Sequence, residues 1–175
     1  MEGDFAARLV KAKSLADIFE VVKAAVSRRL RLSRGGLMLG LADLGNQPGG
    51  FFGAFYPVGT NIIVMNRIPM LRIKETDPAL FKPYVFHVLL HEYLHSLGHL
   101  DEGAVRQLSM EISESLFGKE HPATRIARDT PAFFPNLVYP NIGSGQRTGC
   151  RVLGEGCRVK GEGCWVQGAV RFRGL

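Results

Sequence analysis

The ten residues from Val88 to Leu97, VLLHEYLHSL, constrain this 175-residue chain more than any other stretch. Glu92 is their only charge. A helix so poor in charge belongs in a protein interior, yet it carries His91, Glu92 and His95. Each buried polar group left without a partner costs roughly 1–3 kcal/mol, so these three side chains need something to bind. Their spacing says what. On a helix, residues four apart lie one turn above the other, so His91 and His95 can aim two imidazoles at one metal ion. Glu92 sits about 100° further round, outside the first ring of ligands but within reach of a water on the metal. Two His, a third protein ligand and an open position make the catalytic arrangement of zinc.

The flanking sequence supplies elements that can surround such a helix. Ser14 and Asp17 have the spacing of a capping box, with Asp in place of the usual Glu. The apolar residues Leu15, Ile18, Phe19, Val22, Val26 and Leu30 predict a first helix over 15–31. Gly35-Gly36 ends it, and Leu37–Leu41 reads as a short buried strand. The loop 46–50 leads to two runs, 51–56 and 61–66, that read as a hairpin around Pro57-Val58-Gly59-Thr60. Asp77-Pro78 reads as an N-cap followed by Pro at N1. It predicts a motif helix over 79–97 that stops at Gly98. A further helix is predicted over 102–117. Pro122, Pro131, Pro135 and Pro140 predict a mostly irregular segment over 121–142.

Taken with its context, the motif resembles the zinc-metallopeptidase signature. The residues inside it, Tyr93 and Leu94, are uncharged; Leu97 lies two after the second His, and the β-branched Val88 lies three before the first. Over about residues 14–117 the succession of elements resembles a minimal zincin metallopeptidase, closest to compact gluzincin-type archaeal proteins. That resemblance implies an α+β fold: a small sheet, a motif-bearing helix and a following helix that carries the third ligand. It also implies zinc, peptide-bond hydrolysis with Glu92 as general base and acid, and a peptide or protein substrate lying antiparallel to an edge strand. For the third ligand, Glu111 is favoured. It lies on the flank of the apolar stripe Val105, Leu108, Ile112 and Leu116, where it can face the neighbouring helix, whereas Glu114 lies nearly opposite. Glu102 falls at the helix start, where an acid suits the macrodipole. Asp101 is the alternative. Gly98 matches the glycine of the metzincin pattern H-E-x-x-H-x-x-G-x-x-H, with Asp101 where that pattern has its third His. His99 continues the four-residue ladder but is turned away by the end of the helix. Tyr139, His99 and His121 are the candidates for stabilising a transition state.

The remaining features set boundaries. Hydrophobic residues make up 46% of the chain, enough for one core, and no apolar run approaches the roughly 18 residues that span a membrane. The opening MEGDFAARLVKAKS makes a poor signal peptide, which predicts a cytoplasmic protein. The net charge of +6 is concentrated late. Residues 143–175 hold Arg147, Arg151, Arg158, Lys160, Arg171 and Arg173 against Glu155 and Glu162. The division expected is a domain over 1–142 and a Gly-rich basic tail over 143–175. The tail repeats GCRVLGE, GCRVKGE and GCWVQGA, with all three cysteines in second position. On one straight strand, residues seven apart lie roughly 23 Å from each other on opposite faces, so the cysteines do not form a metal site without folding back. A flexible or weakly β-structured tail with no catalytic role is expected. Two rival readings stand beside the peptidase. One is a zinc-binding module without turnover. The other, disfavoured because no nucleic-acid fold motif is present, is a nucleic-acid binder acting through the tail.

Overall fold

The computed structural model describes residues 5–44, 53–134, 150–152 and 158–159. Expectations for the loop 46–50, for Phe51 and Phe52, for Tyr139 and for most of the repeat tail lie outside these residues. The fold is α+β. In chain order it comprises α1 (Phe5–Lys11), α2 (Leu15–Leu30), β1 (Met38–Ala42), β2 (Ala54–Phe55), β3 (Ile62–Asn66), α3 (Arg67–Thr76), α4 (Pro78–Ser96), α5 (Glu102–Phe117), α6 (Pro122–Arg128), α7 (Thr130–Phe133), β4 (Cys150–Val152) and β5 (Arg158–Val159).

α4 is the centre of the fold. Twelve of its residues are buried, among them Tyr84, Phe86, Leu89, Leu90, Tyr93 and Leu94. A helix apolar on all sides has to be wrapped, and α2, α3, α5, α6, β2 and β3 all pack against it. It starts as its sequence requires, with the Asp77 side chain accepting from the Ala79 N–H and Pro78 in the first turn. Pro83 lies inside it and is buried. No helix among the described residues is long and apolar enough to cross a membrane.

The sheet runs β2-β3-β1-β4-β5. β1 and β3 are parallel, with Met38 opposite Ile62 and Ala42 opposite Asn66. β2 pairs antiparallel with β3, Ala54 opposite Met65 and Phe55 opposite Val64, and forms the edge next to α4. The expected hairpin is therefore present, its first strand covering Ala54–Phe55 among the described residues. β4 pairs antiparallel with β1 and with β5.

Several boundaries match the sequence reading. The capping box at Ser14 and Asp17 is complete in both directions, and α5 spans the predicted residues. The segment after α5 differs. Part of 121–142 is helical, because Pro122 and Pro131 sit in the first turns of α6 and α7 behind the N-caps His121 and Asp129. Proline there starts a helix, since the N–H it lacks would have no helical partner anyway. α1 and α3 were not anticipated. α3 begins at once after β3 because Asn66, 1% exposed, turns its side-chain oxygen onto the N–H groups of Ile68 and Leu44.

That single side chain joins strand end, loop and helix start. Asn66→Ala should lower the unfolding free energy by about 1–2 kcal/mol, the cost of a lost cap with a second amide left unpaired. Denaturant titration measures it. A change below about 0.5 kcal/mol would mean that neither bond matters to folding.

Candidate metal centre

The end of α4 is where the motif meets open space. His91 and His95 stand on one face of the helix, as their spacing requires. Gly98, at φ +98°, then ends α4 with a Schellman turn. The His99 N–H bonds back to the Leu94 carbonyl at 3.3 Å, and the Gly98 N–H to the His95 carbonyl at 3.0 Å. This turn brings the His99 carbonyl to His95 Nδ1 at 2.7 Å. A carbonyl only accepts, so His95 Nδ1 carries the proton and Nε2 presents a lone pair. Asp101 caps α5 by accepting from the Ala104 N–H at 2.7 Å, and the next residue, Glu102, points back over the end of α4.

Four possible ligand atoms from three residues meet there. His91 Nε2 and His95 Nε2 are 3.1 Å apart. Glu102 Oε2 is 3.2 Å from His91 Nε2, and Glu102 Oε1 is 3.1 Å from His95 Nε2. Among the described residues this is the one group of three or more His, Cys, Asp or Glu side chains that could hold a metal ion. Separations of this length are those of hydrogen bonds and ion pairs, and they also suit side chains that share one ion. Four ligands about 2.0 Å from a tetrahedral ion lie about 3.3 Å from one another, close to all three separations. With His95 Nδ1 protonated and the ring neutral, the edge from His95 Nε2 to Glu102 sets acceptor against acceptor. A cation held among these groups would accept their lone pairs.

The sequence-favoured third ligand, Glu111, is not brought to the pair. It lies on α5, exposed, and its Oε1 accepts from Gln107 Nε2 at 2.8 Å. Asp101 is committed to its cap, and His99 contributes its backbone carbonyl. Glu114 pairs with Lys119 at 3.6 Å. The position expected of Glu111 is taken by Glu102, which the sequence reading had assigned to the helix macrodipole. Of the other candidates, His121 caps α6 through Nδ1 and stacks on Phe117, and neither His121 nor His99 lines the cleft described next.

A cleft of about 620 Å³ opens beside this cluster, lined by His91 and Glu102 but not by His95. Its walls are Gly53 and Ala54 of the β2 edge, His87, Val88, His91 and Glu92 of α4, Glu102 and Arg106 of α5, and the α6–α7 junction. Glu92 is only 8% exposed. Burial, reinforced by the negative charge of Glu102, pushes its carboxyl up to about 7 against the pull of the Tyr56 backbone N–H, which donates to it. A divalent cation in the cluster would draw that value down again. His91 is also shifted, below the ordinary histidine range, chiefly by burial.

Two further residues, given no role in the site by the sequence alone, hold this arrangement. The Arg34 guanidinium donates to Tyr56 Oη at 2.8 Å, to the Thr60 carbonyl at 2.7 Å and to the Ser96 carbonyl at the end of α4, while its backbone N–H donates to Tyr93 Oη at 2.9 Å. It thus fixes the β2–β3 turn, and with it the Tyr56 N–H on Glu92, against the motif helix. One arginine before two glycines carries no sequence signal of this. His87, one turn before His91, meets Thr130 Oγ1 at 3.2 Å through Nε2. The single Thr130 hydroxyl proton goes to the Ile126 carbonyl at 2.8 Å, so His87 Nε2–H is the donor. This bond ties the α6–α7 junction to the floor of the cleft.

No protein-family model, curated protein or solved structure matches this chain.

Two outcomes are expected. Gly98→Ala forces an L-residue to positive φ, at a cost of at least about 1–2 kcal/mol, and disturbs the carbonyl that orients His95. It should lower the melting temperature and weaken divalent-metal binding roughly 10–100-fold, as loss of an orienting partner does. Unchanged metal affinity would remove the His99 carbonyl from the site's support. The second concerns acid. Burial pushes His87 down to about 3, so the folded state binds fewer protons than the unfolded chain between about pH 3 and 6.5. The stability tied to its neutral form is whole above about pH 6.5 and drains away below it. The stability gap between wild type and His87→Gln should therefore shift against wild type by up to about 1.4 kcal/mol per pH unit on acidification through that window. A gap independent of pH would show that His87 charges freely.

Proposed function

We propose that this chain is a zinc-dependent metallopeptidase of the zincin type, with His91, His95 and Glu102 as zinc ligands and Glu92 as the proton-transferring carboxylate. The observation that carries the reading is the cluster of His91 Nε2, His95 Nε2 and the two Glu102 oxygens, with separations of 3.1, 3.2 and 3.1 Å, beside a buried carboxylate that lines an open cleft. Zinc held there supplies Lewis acidity and lowers the pKa of a water to about 7. The chain's own residues do the rest. Glu92 takes a proton from the water that attacks the peptide carbonyl and delivers it to the departing amine nitrogen, so the peptide C–N bond breaks with the proton balance closed. The Tyr56 N–H holds the Glu92 carboxylate in place. Among the described strands β2 is the outermost one at the cleft, the position at which an extended peptide would add to the sheet.

Purified protein should carry about one zinc per chain, measured by elemental analysis on a form ending at residue 134, which removes all three cysteines. Glu102→Ala should weaken zinc binding strongly and Glu111→Ala should leave it unchanged. The reverse pattern would return the third ligand to Glu111. Glu92→Gln should keep its zinc while hydrolysis of a mixed peptide library drops roughly 10²–10⁴-fold, the scale of a lost general base. Wild-type protein that binds zinc and releases no new amino termini would sink the peptidase reading in favour of a zinc-binding module. Iron as the resident metal, which a two-His-one-carboxylate set also suits, would redirect it to redox chemistry.

A further inference from the structure

Three arginines surround the candidate site, and they differ in one respect. The Arg34 guanidinium is consumed by its hydrogen bonds to Tyr56, Thr60 and Ser96. Arg106 and Arg128 both line the cleft, and neither guanidinium makes a hydrogen bond among the described residues. Arg106, 74% exposed, comes no nearer than 4.0 Å to Glu102. Arg128, 51% exposed, comes no nearer than 4.0 Å to Glu114, which is closer to Lys119 at 3.6 Å. The other acid on that wall, Asp129, is occupied, its Oδ1 accepting from the Ala132 N–H at 3.0 Å. With Glu102 facing the two imidazoles, the wall from α5 to α7 offers two guanidinium forks whose recorded partners are single ion pairs at 4.0 Å, leaving their N–H donors available for a closer, two-pronged partner. A guanidinium fork matches a carboxylate in shape and charge.

We propose that the cleft selects peptides bearing a carboxylate close to the scissile bond, gripped by Arg106 and Arg128. This rests on the peptidase reading of the same site and names its substrate class. The carboxylate has two possible sources, the free C-terminus of a peptide or an Asp or Glu side chain, and both present the same group to the forks. Uncommitted donors in a cleft favour the ligand that pairs with them and give nothing to its amide counterpart.

The test separates binding from turnover. Zinc-loaded full-length Glu92→Gln protein, with zinc content checked by elemental analysis, is titrated with fluorescently labelled peptides in two matched pairs. One pair differs only in a C-terminal acid or amide, the other only in an internal Asp or Asn beside the expected cleavage position. The acid member of at least one pair should bind about tenfold tighter or more, and the responding pair identifies the source. The preference should shrink with added salt and vanish in the Arg106→Gln/Arg128→Gln double variant, whose substituted side chains are exposed and leave the core untouched. Equal affinities within both pairs, a preference that survives the double variant, or no binding of any peptide to the zinc-loaded protein would overturn the proposal. Failure of the peptidase reading is registered separately, by wild-type protein cleaving nothing in the mixed library. Cleavage there without an acid preference leaves that reading intact and removes only this one.

Discussion

α4 is sheathed by apolar neighbours from Pro83 onward, and its motif side chains reach open space towards its last turns. Tyr84, Phe86, Leu89, Leu90, Tyr93 and Leu94 are almost wholly covered, so α2, α3, α5, α6 and the sheet are positioned by the need to cover them. The cleft is the gap left where this covering stops. Every other feature of the site follows from how the chain leaves that helix end. The Schellman turn at Gly98 reverses it, Asp101 restarts a helix at once, and α5 must then begin beside the turn that holds His91 and His95.

The electrostatics of the gap point the same way. Two imidazoles and a carboxylate stand at separations of 3.1–3.2 Å, with His95 Nδ1 already donating to the His99 carbonyl. A second carboxylate, Glu92, is buried next to this cluster with its charge disfavoured by burial and by Glu102. Negative charge and lone pairs are gathered at the end of α4, with the Arg106 guanidinium 4.0 Å from Glu102. A divalent cation held among these groups would accept their lone pairs and favour the Glu92 carboxylate, which is the physical ground for the proposed metal site.

The fold was legible in the sequence where it depends on local chemistry. The capping box of α2, the Asp77-Pro78 start of α4, its stop at Gly98 and the limits of α5 are all set by side chains within a few residues of the helix ends. What was missed depends on partners far along the chain. The parallel pairing of β1 with β3 has no local signature. Arg34 bonds residues 22 to 62 positions away. The helices α6 and α7 were hidden by reading Pro122 and Pro131 as breakers when they stand in first turns. For the site, the pair His91 and His95 and the neighbouring Glu92 could be read from helical spacing. The third member could not, because an angular argument on α5 alone pointed to Glu111 and ignored the position of the helix relative to α4.

The information that would have corrected this was the length of the link. Only Leu97 to Asp101 separate α4 from α5, and a Schellman turn consumes part of that. The first turn of α5 is then held against the last turns of α4 whatever the rest of α5 does, while Glu111 sits more than two helical turns further along. Helical side chains also lean toward the N-terminus, which carries Glu102 out over the two imidazoles. The adjacent acids divide the work by length of stem. Asp101, with the shorter side chain, closes on its own helix start at Ala104 and fixes the direction of α5. Glu102, one methylene longer and at N1, reaches back to the two imidazoles and keeps Arg106 of its own helix at 4.0 Å. A rigid cap beside a longer carboxylate thus places an acid over the end of α4, and the order Asp101-Glu102 supplies it in two residues.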